Sequence, residues 1–531
     1  MKEREREWPA LLAIAGVFTA GWLLVGARAN VPVIDDWVYA WSVQHFLDTG
    51  RLQVLDISAF YPIAQVFWGA LFARIAGFSF GVLRVSTLAL SVLGCWAVYL
   101  TLRELGCQRR TSLLGALALA LDPAYFALSF SFMTDVPFVS LSAMALYGYV
   151  RAIRRDEPAA VWAGCVSAAL AFLIRPIGIV LPLSMLPALV WSRDRRTSLR
   201  QSAAPLLITL VLMGALQITL PRVLGPLHWA AIRQDYLQWW FTVPAATYLR
   251  WNLEVLFVAV FPFAPLLVAY AGRWRRAIAV GAAAMALAIV CRLALGAQVM
   301  PLLPGQTWSL QDIAARTMLD GDVTPSSWSL RAVPAVTLVG LVAVAALVVI
   351  GARDWRRRTD WRRVEIVLLT LAMLHAACIT VLWLYNDRYY LVLAPLLAIV
   401  GARALVRDGR GQGIATALLV IWAAIAISGT RDMLAFNEVC AKEARTLEAS
   451  GIPSWDIDAG YAWNGWRLYA HPENLALGAN REYDVPFVTS NRATHYSITN
   501  SPLPHAEVIR IVPLERASWQ ATRAVYVVRR P

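Results

Sequence analysis

The sequence predicts an all-α polytopic membrane protein with a small α+β domain at its C-terminal end. Three observations carry that reading. Apolar residues fill 59% of the 531 positions and charged residues only 15%, with a mean hydropathy of +0.56, which excludes an ordinary soluble protein. About thirteen segments approach the ~20 apolar residues that cross a hydrocarbon core as a helix. After about residue 430 the pattern changes to turn signals and short β-prone runs. The formal net charge is +14, yet the basic residues lie in short clusters between apolar segments. They are topology determinants, which argues against a nucleic-acid surface.

The apolar segments fall near 9–26, 81–102, 112–131, 134–151, 159–174, 176–192, 202–220, 252–271, 277–296, 330–351, 364–384, 388–405 and 413–429. Met1 to Trp8 is charged with mixed sign and no small-residue cleavage site follows, so the first segment is expected to be a retained helix. With the N-terminus placed in the cytoplasm, the arginine clusters at 103–110, 151–155, 193–200, 273–276, 353–363 and 403–410 all fall on the cytoplasmic side. The links that decide this count are Met133 to Asp135, Arg175-Pro176 and Asn386 to Arg388. Loops 27–80, 221–251 and 297–329 and the tail from about 430 then face outward. The chain divides into a transmembrane catalytic unit, 1–429, and an extracytoplasmic domain, 430–531. The Arg-rich usage, with Lys2 and Lys442 the only lysines, points to a GC-rich bacterial genome and so to a bacterial cytoplasmic membrane.

The first outer loop carries two interfacial helices. Tyr39, Ala40, Val43, Phe46 and Leu47 share one helical face, with Gln44, His45 and Asp48 opposite. After Tyr61-Pro62, the run from Ile63 to Phe72 is apolar but too short to cross. In the tail, Asn464-Gly465 and several prolines mark turns, and 485–489, 508–512 and 524–528 read as strands. The six cysteines show no CxxC or Cys/His spacing, so neither a disulfide framework nor a thiolate metal site is expected. Motifs for nucleotide binding, GxxxxGK[ST] and a strand-linked GxGxxG, are absent.

Chemistry is expected at outward-facing charged groups, because charge at a membrane edge is costly unless it serves a purpose. Asp35 and Asp36 follow the first span and Asp135 precedes the fourth. Adjacent side chains diverge, so the productive pair is Asp35 or Asp36 together with Asp135. The plainer reading is helix capping, by Asp36 on the interfacial helix and by Asp135, with Pro137 in the first turn, on the fourth span. Arg175 and Arg388 oppose the positive-inside bias and sit in tight turns, where a guanidinium suits bidentate contact with a lipid phosphate. Snorkelling at a helix end is their plainer reading. The pairs Trp239-Trp240 and Trp463/Trp466 could stack on sugars, although interfacial anchoring explains the first equally well. The histidines show no ligand spacing. Carboxylates with water can hold Mg²⁺ or Mn²⁺, but no pattern demands a metal.

Taken in order, Asp35-Asp36-Trp37-Val38-Tyr39-Ala40, the Pro62-led amphipathic helix, Val82-Leu83-Arg84, Met133-Thr134-Asp135-Val136-Pro137, Leu173-Ile174-Arg175-Pro176-Ile177-Gly178 and Asp387-Arg388-Tyr389-Tyr390 resemble the GT-C glycosyltransferases. The branch is that of the bacterial relatives of protein O-mannosyltransferases and the lipid A aminoarabinose transferase. The resemblance covers about residues 8–430. It implies a polyprenyl-phosphate sugar as donor, transfer to a glycan, lipid or protein acceptor at the outer face, and inversion at the anomeric carbon. It also implies Asp35 as general base with Asp36 and Asp135 in support; the charge argument places Arg388 and Arg175 on the donor-phosphate side, with Tyr61 and Tyr389 as further donor-binding candidates. Asp36 stands where Glu is common, and Phe60-Tyr61-Pro62 where many members have a His-Pro-Pro-like sequence, so specificity does not carry over. From the residues alone, a secondary transporter or flippase with proton-relaying carboxylates is the alternative, and a non-catalytic assembly protein is a third.

Overall fold

The computed structural model describes residues 7–190, 195–227, 256, 260–267, 319, 343–344, 347, 362–380, 387–405, 409–479, 485, 494–514 and 524–531. The expected span 277–296, most of 252–271 and 330–351, the Trp239-Trp240 pair and residues 486–489 of an expected strand lie outside them. The described chain is mostly helical, with several apolar helices and one small sheet.

The chain begins with α1 (Trp8–Val25), followed by the short helices α2 (Asp36–Thr49) and α3 (Ile63–Ala76) and the long α4 (Phe80–Glu104). Then come α5 (Arg109–Ala120), α6 (Pro123–Ser129), α7 (Asp135–Arg155), α8 (Pro158–Phe172), α9 (Val180–Val190) and α10 (Arg195–Leu224). After the one-turn α11 (Ala264–Leu267), the helices α12 (Arg362–Thr380), α13 (Ala394–Ala404) and α14 (Gly409–Ala449) complete the apolar part. Among the described residues, α1, α4, α7, residues 202–224 of α10 and residues 411–449 of α14 are long and apolar enough to cross a membrane.

The two short helices are present, and α3 is apolar on its exposed face as well as its buried one. On α2, Tyr39, Ala40 and Val43 are buried, while α3 buries Val66, Ala70 and Ala73 and leaves Phe67, Leu71 and Ile75 exposed at a four-residue spacing. The expected span 112–131 is instead broken. Its halves α5 and α6 meet at 67°, because Pro123 cannot continue the hydrogen-bond ladder and the Asp122 carboxylate accepts the Tyr125 N–H at 2.8 Å, restarting a helix. Elsewhere small residues let helices touch backbone to backbone. A Cβ on Gly148 of α7 would lie 2.6 Å from the backbone nitrogen of Gly164 on α8.

The helix ends that carry basic clusters pair with nearby acids. Arg103 Nε lies 3.1 Å from Glu7, Arg155 Nε 2.8 Å from Glu104, and Arg403 Nη2 3.1 Å from Glu365. At the opposite end of the bundle the segments 27–35, 60–63, 131–135, 173–176 and 387–393 converge, and the charged site lies there.

The expected boundary at 429/430 falls inside α14, which runs unbroken for 41 residues. The change in composition therefore marks where the helix becomes more polar, not where it stops. The far part of α14 contributes Phe436, Cys440, Ala444 and Leu447 to a second core shared with a four-stranded sheet. Its strands are β1 (Ile457–Asp458), β2 (Tyr496–Thr499), β3 (Glu507–Pro513) and β4 (Ala524–Arg529), in the order β1-β2-β4-β3. The β1/β2 pair is parallel and the other two pairs are antiparallel. The expected strands at 508–512 and 524–528 are β3 and β4, whereas β1 and β2 carry no clear alternation in the sequence. Between β1 and β2 a compact segment, α15 (Tyr461–Asn464) continuing into a π-helical turn Gly465–Tyr469, turns back toward α2.

Candidate active site

The site is built on the irregular segment between α1 and α2. Gly26 ends α1 in the left-handed region, at φ 73°, and the chain then runs without helix to Asp35. A single buried side chain organises this segment. Arg84 donates from Nη1 to the carbonyls of Ala27, at 3.3 Å, and Ala29, and from Nη2 to that of Val31, at 2.6 Å. The Asn30 side-chain oxygen accepts the Phe80 N–H at 2.9 Å. Thus pinned, the segment holds Ile34 at φ +54°, a conformation that strains a β-branched residue and persists only where the surroundings over-determine it.

The kink at Ile34 sends the two following carboxylates into different environments. Asp36 is fully buried. Its Oδ1 accepts the Val33 N–H at 2.8 Å, and burial pushes its carboxyl up to about 7, against the pull of the Arg84 guanidinium and of the Val33 and Phe132 backbones. The Asp35 side chain keeps 27% of its surface exposed, and its Oδ2 lies 3.5 Å from Arg388 Nη2.

Helix capping explains neither residue. Asp35 occupies the N-cap position of α2 without a side-chain capping bond, and Asp36 binds backward to Val33. The N-cap of α7, Thr134, also makes no such bond, and Asp135, 1% exposed, instead faces Arg175 Nη2 at 2.9 Å. Arg175 owes its position to Pro176. The residue before a proline is driven out of the helical region, so α8 stops and Arg175 is extended, at φ −140° and ψ 129°. Its Nε and Nη2 donate to Thr134 Oγ1 at 2.9 and 2.8 Å, and its guanidinium lies 5.6 Å above the Phe60 ring. Snorkelling therefore does not describe it either. The guanidinium of Arg388 lies 5.4 Å over the Tyr389 ring and feels both Asp135 and Asp35.

Of the seven residues singled out from the sequence, Asp35, Asp36, Asp135, Arg175, Arg388 and Tyr389 converge. Tyr61 is turned elsewhere: its hydroxyl donates to the carbonyl of Gly225 at 2.5 Å, beyond the end of α10. Four further residues belong to the same cluster. Arg84 and Thr134 stood inside motifs already noted, and Tyr39 lies one helical turn beyond Asp35. Tyr461 comes from the far end of the chain, and its hydroxyl is hydrogen-bonded to Asp35. Burial, followed by the charge of Asp35, holds both tyrosine phenols well above their usual range, so both remain hydrogen-bond donors. Among the described residues no three His, Cys, Asp or Glu side chains come together as a metal-ligand set, and the carboxylates that could bind a cation face guanidinium groups instead.

A carboxylate 27% exposed, a buried carboxylate–guanidinium pair and a second guanidinium thus stand together at one end of an apolar helix bundle. Residues 62–219, under a third of the chain, match the family described as dolichyl-phosphate-mannose-protein mannosyltransferase. That segment contains Arg84, Thr134, Asp135 and Arg175. The match falls within the stretch that carries the motif resemblance. No curated protein sequence matches the chain.

Several solved structures are similar. An oligosaccharyltransferase from Archaeoglobus fulgidus, in complex with zinc and sulfate, shares 17% identity at a TM-score of 0.47, over 81% of this chain and 53% of its own. The present chain thus spans about half the length of that enzyme. ArnT from Cupriavidus metallidurans bound to undecaprenyl phosphate shares 16% identity over 97% of both chains at a TM-score of 0.41. The protein O-mannosyltransferase Pmt1–Pmt2 complex of S. cerevisiae, bound to its sugar donor, shares 18% identity over 39% of this chain and 32% of its own at 0.34. At these identities and scores the similarities carry no functional inference.

Proposed function

We propose that the protein is an integral-membrane glycosyltransferase that moves one sugar from a polyprenyl-phosphate donor to an acceptor at the outer face of a bacterial cytoplasmic membrane, with inversion. The observation that carries this reading is the contrast among the carboxylates. Asp35 alone of the three is accessible, while Asp36 and Asp135 are buried within its support.

In the reaction Asp35 takes the proton of the acceptor hydroxyl or amine as that atom attacks the anomeric carbon. The bond from that carbon to the phosphate oxygen breaks, and its electron pair leaves with the polyprenyl phosphate. A phosphate is a good leaving group, so no general acid is required on that side. Arg388 and Arg175 face the charge that develops there. Arg388 has Asp35 as its counter-ion in the donor-free protein. An arriving phosphate competes for that guanidinium and releases the carboxylate for proton abstraction. The basic-cluster pattern supports placing this end of the bundle outside, and the family match supports a lipid-phosphate sugar as donor. A transporter reading finds less support, because the charged groups gather at one end of the helices and not near their middle.

The test is Asp35→Asn, which keeps the shape of the side chain and removes its basicity. Transfer falls by the roughly 10²–10⁴-fold that a general base contributes, measured by mass spectrometry of envelope glycolipids, glycans and glycoproteins against a gene deletion. Wild-type product levels from a folded, membrane-inserted Asp35→Asn protein sink the assignment.

A further inference from the structure

We propose that Tyr461 is a positioning residue for Asp35, so that the C-terminal segment completes the active site. This deepens the glycosyltransferase reading and rests on it for its functional meaning, although the contact itself does not.

Trp37, two residues from Asp35, is fully buried. Tyr461 and Tyr469 meet its ring edge to face, each with a centroid separation of 5.9 Å. Gly465 lies so close that a Cβ there would fall 2.2 Å from the indole, so only glycine lets the π-helical turn seat against α2. Two more contacts lock the segment onto the first loop. The Tyr469 hydroxyl donates to Asp56 at 3.1 Å, and Trp466 packs against Phe78 and Phe80 at 6.1 and 5.1 Å. The turn that follows Tyr461 is thus fixed against α2 and the first loop, and the Tyr461 hydroxyl reaches Asp35.

The groups that face Asp35 are then Arg388, Asp36 and Tyr39, with Asp135 and Arg175 beyond Tyr39, and Tyr461. Arg388 stands at 3.5 Å, at the limit of a hydrogen bond, and in the proposed reaction it turns to the phosphate. The phenol of Tyr461 is neutral and is not drawn away by an anion. It keeps the carboxylate oriented while the guanidinium is engaged elsewhere.

Tyr461→Phe removes the hydroxyl and retains the ring on Trp37. The experiment uses the full chain in detergent with dicyclohexylcarbodiimide as probe, which reacts with protonated carboxyl groups and needs no substrate. Labelling of Asp35 is followed against pH by peptide mass spectrometry, with Asp36 and Asp135 as internal references. In Tyr461→Phe the midpoint for Asp35 rises by about one pH unit, the size expected on losing a hydrogen bond to a charged group, while the references stay in place. Tyr461→Leu, which also loses the aromatic packing, shows the same rise and a lower melting temperature. A Tyr461→Phe profile that superimposes on the wild type overturns the proposal and leaves a packing role only, whether or not Asp35→Asn abolishes transfer. A shifted profile combined with an active Asp35→Asn supports the positioning contact and removes the base assignment alone.

Discussion

Asp35 and Asp36 are the same residue type one position apart, and their surroundings divide their roles. The pair itself, and its separation by the divergence of neighbouring side chains, can be read from the sequence. Which of the two is buried cannot, because that depends on Ile34 adopting a positive φ under the hold of Arg84, more than one helix away. The buried partner has a measurable signature. An acid whose pKa is raised on folding, here from 3.8 to about 7, binds protons more tightly in the folded state. Its stabilising contribution is complete below the unfolded value and is lost as pH rises through the folded one. Thermal unfolding in detergent is therefore expected to show stability falling between about pH 4 and 7, with a slope of about 1.4 kcal/mol per pH unit at its steepest. Asp36→Asn flattens that slope, and an unchanged slope places the titration elsewhere.

At the scale of elements, the apolar length of α1 and α4 places those helices within a residue or two, whereas α3 and α7 each run four residues beyond their expected ends. The interruptions are the informative errors. Asp122-Pro123 breaks a predicted continuous span, and the 429/430 change in composition is silent about a helix that continues through it, because a helix packed on a second core needs no apolar face toward lipid. The Arg175-Pro176 turn shows why a short motif can be legible. Proline dictates the extended residue before it, and that residue supplies the counter-ion of Asp135. Arg175→Ala leaves a carboxylate 1% exposed without its ion-pair partner, at a cost of roughly 3–5 kcal/mol. Folded yield and melting temperature in detergent read that loss, and replacing Asp135 by Asn in the same chain recovers part of it. A single Arg175→Ala variant as stable as wild type contradicts a structural role for the pair.

In the whole molecule, the connection least visible from the sequence joins the chain's two ends. Tyr461 belongs to no apolar periodicity and has no sequence neighbour at the site; only the three-dimensional path of α14 and β1 carries it to Asp35. A helix of 41 residues measures roughly 60 Å, about twice the hydrocarbon thickness of about 30 Å. One part of α14 is therefore set by the lipid and the other by the sheet it supports. Under the proposed glycosyltransferase reading, such a strut would make membrane thickness an input to catalysis. A bilayer thicker or thinner than the apolar part of α14 tilts or shifts the helix, and the displacement is delivered to the segment bearing Tyr461. In vesicles whose acyl chains range from about 14 to about 22 carbons, turnover is expected to peak at one length and fall on either side. Rates independent of chain length would show that α14 does not transmit such movement to the site.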